Sequence, residues 1–581
     1  MKFTSVFLTV SLALAIPQYS FGVENKKENS TYRLAISKPI ENFDPINSDN
    51  PTNANIIRNL YSTLVTYRTQ KDHIGQNYGD IVPYLAEEWN VTSNRKIYNF
   101  KIKDNAYFSN GRKCNAFDIK HTIERLANPK VLPASYEWLF KDLPIRGLQK
   151  YQRDCRNNVK EPDLSGIKVL DENLVQIEFD RPSPLFLKEL AMPIFSIIPK
   201  EEVDKWGSEY GYHPVGTGAY SLEKSTPEQI ILTKNTGYFE KGLPHINTLV
   251  YKVIPKAEDE YSIFQKGRLE QTEIPDGQID QLFQKENWNK YSINVFDNPS
   301  FNDRKVSDVI KEPKMVSTFL GISTKNVMFK SQKARQALNY AVNKQMLITS
   351  TLKYKAIESN GILPEDFPGV NWSRKAPYPY DLVKAKKFLY ESGFTDYNND
   401  GVLEYKKKPV TLNFWYYDDP ETEKVCQAVS ENLQAAGFKV NLNKSKKWKT
   451  FLQKVISGQA DLYHFSWKAK YDDPDKFLTP LFDSKYIGSS NISGFKDKNI
   501  DNMLSKARKI PEDEFRNRIY KNIENTIVEK APWVFLYQPV KYVRVRPYVY
   551  GMQLHPVMED IIKYTYFKTP EPDNIPLSKP E

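Results

Sequence analysis

Strand-like and helix-like segments alternate along most of this chain, and the helical ones carry their own start and stop signals. That alternation constrains the architecture most, because sheets that bury both faces need helices to cover them. Residues 230–234, 248–254, 292–297, 317–323, 409–416 and 533–538 are short, rich in β-branched and aromatic side chains, and read as strands. Asn115 opens a helix with Ile119, Ile123 and Leu126 on one face; Asp118 stands where a weak capping box needs it, and Asn128-Pro129 stops the run. Residues 331–342 place Ala334, Ala337, Leu338, Ala341 and Val342 at helical spacing. Asp381 caps a helix through Ser392, which Gly393 ends. Asp419-Pro420 opens another that Gly437 ends, and Phe438, Val440 and Leu442 then alternate as a strand. Residues 514–531 put Phe515, Ile519, Ile523 and Ile527 on one stripe before Pro532. The pattern predicts an α/β protein with mixed sheets flanked by helices.

The chain has 581 residues, long enough for three or four structural lobes, and its 40% hydrophobic content supports large cores. Aromatics reach 13% although the mean hydropathy is −0.59, so some aromatic side chains are expected to do more than fill a core. Residues 1–22 read as a cleaved export signal: Lys2, an apolar run from Val6 to Ile16, then Ser20 and Gly22 at the cleavage positions. That run is too short to span about 30 Å of hydrocarbon. No cysteine lies near the cleavage site to carry a lipid, so an exported, soluble, periplasmic protein is expected. Cys114 and Cys155 either form a disulfide, which such a compartment permits, or remain buried thiols like Cys426. From Pro570 the tail is rich in proline and charge and is expected to fray. The net charge of +11 comes from basic residues scattered among acids, which argues against nucleic-acid binding.

No constellation of catalytic residues stands out. His73, His121, His213, His245, His464 and His555 never fall at i, i+3 or i+4, and no metal, nucleotide or nucleophile-elbow motif is present. Asp396, Asn398, Asp400 and Gly401 open like a calcium loop, but Lys407 occupies the position that needs a bidentate Glu. An Asx-rich turn explains them without a metal. Neither an enzyme nor a cofactor is expected.

Several segments, in order, resemble the family 5 extracellular solute-binding proteins, the peptide- and nickel-binding components of ABC importers. Phe43-Asp44-Pro45 with Asn59-Leu60-Tyr61 is similar to the family's opening segment. Tyr107-Phe108-Ser109-Asn110-Gly111, Asp118-Ile119-Lys120 and Thr122-Ile123-Glu124-Arg125 resemble its most recognisable stretch. Val215-Gly216-Thr217-Gly218-Ala219-Tyr220 resembles its glycine turn, with Ala219 where Pro is usual. Asn235, Tyr238-Phe239 and the Lys333–Leu338 helix continue the likeness. The resemblance implies a two-lobed periplasmic-binding-protein-like clamshell with an extra subdomain on the N-terminal lobe. The expected division is lobe I at 24–70, 205–300 and 535–581, the extra subdomain at 71–204, and lobe II at 301–534. It also implies a monomer that closes by a hinge on a peptide or peptide-like ligand and delivers it to an inner-membrane ABC permease. A non-peptide solute (oligosaccharide, opine, haem or nickel), or a chaperone or signalling role for the same cleft, is the alternative.

The segment Phe465–Pro474 resembles the family's second-lobe ligand loop, with Trp467 matching the tryptophan that lines the pocket. Three residues on, relatives that bind peptides carry an Asp for the ligand's α-ammonium; here the residue is Lys470. Either Asp472 or Asp473 takes the amine, or Lys470 pairs an anionic group of the ligand, or Lys470 points to solvent. In the strand 412–417, Trp415 and Tyr417 should face one side and Phe414 and Tyr416 the other, with one pair lining the cleft or both in the core. Asn53–Asn55, just before the helix expected to hold Arg58, matches a stretch that borders the ligand in relatives, with a solvated loop as the alternative.

Overall fold

The computed structural model describes residues 30–68, 80–283, 292–294, 309–365, 367, 377–510, 514–552, 558 and 561–568. The expected signal segment and the tail from Pro570 lie outside them.

The punctuation read from the sequence operates through hydrogen bonds. The Asn115 side chain accepts from Phe117 N at 3.0 Å, and Asp118 Oδ2 accepts from Asn115 N at 2.9 Å, completing a capping box on the Ala116–Ala127 helix. The same carboxylate takes both Arg112 Nη atoms at 3.0 and 2.6 Å, tying the helix to the loop that precedes it. Asp381 caps Leu382–Glu391 through Lys384 N at 2.8 Å, and Asp419 caps Pro420–Ala435 through Thr422 N at 2.9 Å. Gly393 (φ +90°) and Gly437 (φ +103°) supply the left-handed residues that end these helices. In Glu514–Lys530, Ile519, Ile523 and Ile527 are buried. Phe515 is 45% exposed, contrary to the expected stripe. It stands in the first turn, before the helix meets the core, with the Lys506 and Arg518 cations 5.4 and 5.8 Å from its ring.

Three larger sheets organise the described residues. One orders Thr31–Ile36, Thr248–Val253, Gln229–Lys234 and Tyr220–Ser225. A second, fully antiparallel, orders Ala86–Val91, Ile97–Ile102, Leu174–Glu178 and Ile167–Asp171. The largest runs Ser292–Asn294, Val309–Pro313, Trp533–Val545, Val316–Ile322, Leu462–Lys468, Thr411–Tyr417 and Lys439–Ser445. The strand expected at 533–538 continues to Val545 through Pro539. A proline normally ends a central strand because it lacks a donor. Here Pro539 falls where the strand changes neighbours: Val316–Ile322 pairs it as far as Tyr537, and Val309–Pro313 takes over from Val540. The strand expected at 292–297 covers Ser292–Asn294 among the described residues.

The apolar side chains gather into two large cores. One draws on residues between Tyr32 and Tyr251, joined by Val543, Val545 and Ile562. The other draws on residues from Met315 to Tyr537. A small cluster that includes Tyr261, Ile279, Val309 and Val540 is separate from both. The long strand contributes to all three: Trp533–Tyr537 to the second core, Val540 and Tyr542 to the small cluster, Val543 and Val545 to the first. Cys114, Cys155 and Cys426 are all buried free thiols, so the structure takes the second of the two cysteine readings. In the calcium-like run, the Asp396 carboxylate accepts Asp400 N and Gly401 N at 3.2 and 2.9 Å, an Asx-type turn. Among the described residues no group of three or more His, Cys, Asp or Glu is placed to hold a metal, and no helix is long and apolar enough to cross a membrane.

Candidate functional site between the two cores

The strands Leu462–Lys468, Thr411–Tyr417 and Lys439–Ser445 are mutually parallel neighbours. Open sheets of this kind present ligand sites beyond the carboxyl ends of their strands. The segment from Lys468 to Asp473 leaves that edge and meets the first core.

From the first core comes the helix Pro51–Leu60. The Asn50 side chain accepts from Thr52 N (2.9 Å) and Asn53 N (3.2 Å), and Pro51 pre-sets the first turn. Its other end is fixed by the turn Gly216-Thr217-Gly218. Gly218 N donates to Leu60 O at 3.0 Å, and Ser62 Oγ donates to Thr217 O at 3.1 Å. A Cβ at Gly216 would lie 2.2 Å from Leu60 O, and one at Gly218 2.4 Å from Asn59 O. These glycines are therefore needed for close approach of two backbones. Asp44 holds the preceding loop by accepting both Arg125 Nη atoms at 3.0 and 2.6 Å.

Between helix and loop lies a cavity of about 220 Å³, lined among others by Asp49, Asn55, Arg58, Tyr136, Lys468 and Lys470. Lys470 Nζ reaches across from the second core to donate to Asp49 O at 3.3 Å, 5.2 Å from the Tyr136 ring centre. Burial lowers the pKa of Lys470; Asp49 opposes that shift and Lys468 adds to it. Arg58 Nη1 donates to Asn55 Oδ1 at 3.1 Å. A second cavity, of about 190 Å³, shares Asn55 and extends towards Glu260, Glu273 and Lys541. A wider groove of about 690 Å³ takes its lining entirely from residues between Glu41 and Pro227, so it does not lie between the cores.

The two aspartates of the loop are engaged by protein cations. Asp473 is fully buried and accepts Arg516 Nη1 and Nη2 at 2.8 and 2.7 Å. Its burial favours the neutral acid, but Arg516 and Lys188 outweigh that and hold the carboxyl below the usual carboxylate range. Lys188, from the first core's side, donates to Asp472 O at 2.8 Å and lies 3.7 and 3.6 Å from the Asp472 and Asp473 carboxylates. Tyr471 donates to Glu189 Oε1 at 3.1 Å, and Lys476 sits 4.0 Å over the Trp138 ring. Asp472 and Asp473 are thus part of a polar clasp between the cores.

The remaining candidates separate. Trp467, near the end of the strand Leu462–Lys468, donates its indole N–H to Lys476 O at 2.8 Å, in the helix Asp475–Phe482 that follows the loop. Tyr416 is buried and its hydroxyl donates to Glu423 Oε1 at 3.2 Å, while Tyr417 on the other face is 39% exposed and packs edge-on against Trp448 at 5.6 Å. Trp415 is half-buried with Lys454 5.6 Å from its ring. The alternation along this strand is therefore real, with Phe414 and Tyr416 in the core. Asn53 and Asn55 are buried within the Pro51–Leu60 helix and not in a solvated loop before it, because Asn50 caps the helix ahead of them; Asn53 Nδ2 donates to Asn47 O at 2.8 Å, bracing the preceding loop. Of the predicted residues, the cavity brings together Asn55 and Lys470. Sequence reasoning missed Asp49, Tyr136, Lys188 and Arg516 as parts of this region. No local pattern marks them, because each meets its partner only through the tertiary fold.

The model of the bacterial extracellular solute-binding proteins, family 5, matches residues 80–489. The chain is 22% identical to glutathione-binding protein GsiB of Salmonella typhi over 86% of its own length and 87% of that protein. It is 24% identical to heme-binding protein A of Haemophilus influenzae, covering 90% of each. The structure of the Escherichia coli murein tripeptide binding protein MppA superposes with a TM-score of 0.68 at 22% identity, covering 93% of this chain and 99% of that one.

Proposed function

This chain belongs to the bacterial extracellular solute-binding proteins, family 5, and on that premise we propose that it captures peptides or peptide-like solutes between its two lobes. The observation that carries the proposal is the cavity between the Pro51–Leu60 helix and Lys468–Lys470, roofed by one core and floored by the other. Relatives named for glutathione, for haem and for a murein tripeptide support a solute of that size. An extended peptide offers the same main-chain groups whatever its sequence, so one cleft can take many peptides. The lobes are taken as 24–70 with 205–300 and 535–581, and 301–534, with 71–204 as the added subdomain, and the strand Trp533–Val545 crosses their boundary, its Trp533–Tyr537 stretch lying in the second core. They close by rotation about the segments that join them, and the closed form delivers its solute to an ABC permease. Export follows cleavage after Gly22, leaving a soluble monomer in the periplasm. Lys470 and Asn55 border the cleft.

Native mass spectrometry of protein purified from its exported compartment without refolding tests this. The expected result is a set of bound masses that fragment as short peptides. A single non-peptide mass would overturn the peptide reading, and a mature N-terminus other than residue 23 would overturn the cleavage site.

A further inference from the structure

The charges around the cavity do not suit an ammonium ion. Arg58, Lys468 and Lys470 line it, and Asp49 is the one acid among its lining residues. The loop has two further acids, Asp472 and Asp473, but neither lines this cavity and both lie against protein cations. Asp473 accepts a two-pronged bond from Arg516, and Asp472 lies against Lys188. Turning Asp473 towards a ligand amine would take its carboxylate from the buried Arg516, and turning Asp472 would draw it away from Lys188; breaking such buried pairs costs more than a surface contact returns.

Lys470 is differently placed. Its ammonium carries three N–H donors, and among the described residues its hydrogen-bond acceptor is the Asp49 carbonyl, a neutral group. Burial disfavours its charge, the Asp49 carboxylate offsets part of that, and Lys468 disfavours it further. An oxyanion in the cavity would add a counter-charge in direct contact, where the present hydrogen-bond acceptor is a neutral carbonyl. Arg58 adds a planar fork on the opposite wall, the geometry that suits a carboxylate. The Tyr136 ring, 5.2 Å from Lys470 Nζ, and Met192 and Pro193 give the cavity apolar wall beside that contact.

We propose that this cavity is an oxyanion subsite: Lys470 and Arg58 hold an anionic group of the solute, so a peptide enters with its carboxylate, not its ammonium, against the Lys468–Asp473 loop. The inference rests on the cleft being the ligand site and fixes the polarity of the ligand within it. The recognised chemistry is a carboxylate or a phosphate-type oxyanion.

The test uses the full mature protein and a pool of mixed-sequence tripeptides in three forms: free, N-acetylated and C-amidated. Succinate and phenyl phosphate, as non-peptide oxyanions, complete the panel. Affinities are read by calorimetry and native mass spectrometry. N-acetylation is expected to leave binding nearly unchanged, while C-amidation weakens it about tenfold or more, the loss of one charge-assisted contact. Lys470→Asp should lose the free and acetylated forms and Lys470→Arg should keep them. Equal binding of free and amidated peptides, or unchanged affinities in Lys470→Asp, overturns the proposal. Binding of succinate or phenyl phosphate that Lys470→Asp abolishes, with no peptide bound, keeps the oxyanion subsite and refutes the peptide reading; the stronger of the two names the oxyanion. No affinity for any carboxylate- or phosphate-bearing probe overturns the subsite outright.

Discussion

Replacing Asp473 by Asn should uncouple the second core from its own ligand loop. The carboxylate is fully buried, takes two Arg516 donors at 2.8 and 2.7 Å, accepts Asp475 N at 2.9 Å and lies 3.6 Å from Lys188. The amide keeps the shape but removes the charge, so Arg516 loses its two-pronged carboxylate partner, and Lys188 loses one of the carboxylates beside it while Asp472 stays 3.7 Å away. Breaking a buried pair in this way costs about 3–5 kcal/mol. For a unit of roughly 200 residues each kcal/mol moves Tm by about 2–4 °C, so a fall on the order of 10 °C is expected in the calorimetric transition of the second lobe. Arg516→Met should cost a similar amount, and the double variant should recover part of it because no unpaired charge remains. The sign with pH is fixed by the direction of the shift. The folded carboxyl is held below its unfolded value, so its contribution is complete above the ordinary carboxylate range and is lost as pH falls through the folded value. The difference between wild type and Asp473→Asn should therefore be constant from pH 5 to 7 and shrink at lower pH. Scanning calorimetry and urea titrations measure it. A single variant within about 1 kcal/mol of wild type, or strictly additive losses in the double variant, would refute the assignment of this pair as a buried anchor.

Lys188→Met removes the cation that joins the two sides of the clasp, so unliganded protein should show a larger radius of gyration in solution scattering; an unchanged radius counts against the clasp. Gly218→Ala drives a Cβ into the Asn59 and Leu60 backbone and should cost roughly 2–4 kcal/mol while weakening ligand binding through the displaced helix, whereas Gly277→Ala, which meets nothing within 4 Å, should stay within about 0.5 kcal/mol. His464 is buried and its pKa falls to about 4, so the neutral ring stabilises the fold above the unfolded value of about 6.5 and that stability is lost as pH falls towards the folded value. Between pH 7.5 and 4.5 this removes about 2–3 kcal/mol, which His464→Gln should abolish; an unaltered pH slope in urea midpoints would contradict it.

What the sequence by itself determined is whatever neighbouring residues settle among themselves. Asn115 with Asp118, Asp381, Asp419, Gly393 and Gly437 form their caps with partners a few residues away, so their signals were legible. The alternation of Phe414 and Tyr416 against Trp415 and Tyr417 was legible for the same reason. Two local readings failed where a distant neighbour decided. Pro539 reads as a strand end, yet the strand passes it because the sheet changes partners there. Phe515 fits the helical stripe, yet the core begins one turn later. The site shows the same division. Lys470 was singled out by its charge, but its meeting with Asp49 spans 421 residues of chain, and Lys188 reaches Asp472 across 284. No local rule carries such pairings. They arise because two cores with separate apolar surfaces pack face to face, and that packing decided that the loop's acids bind protein while its lysine lines the cavity.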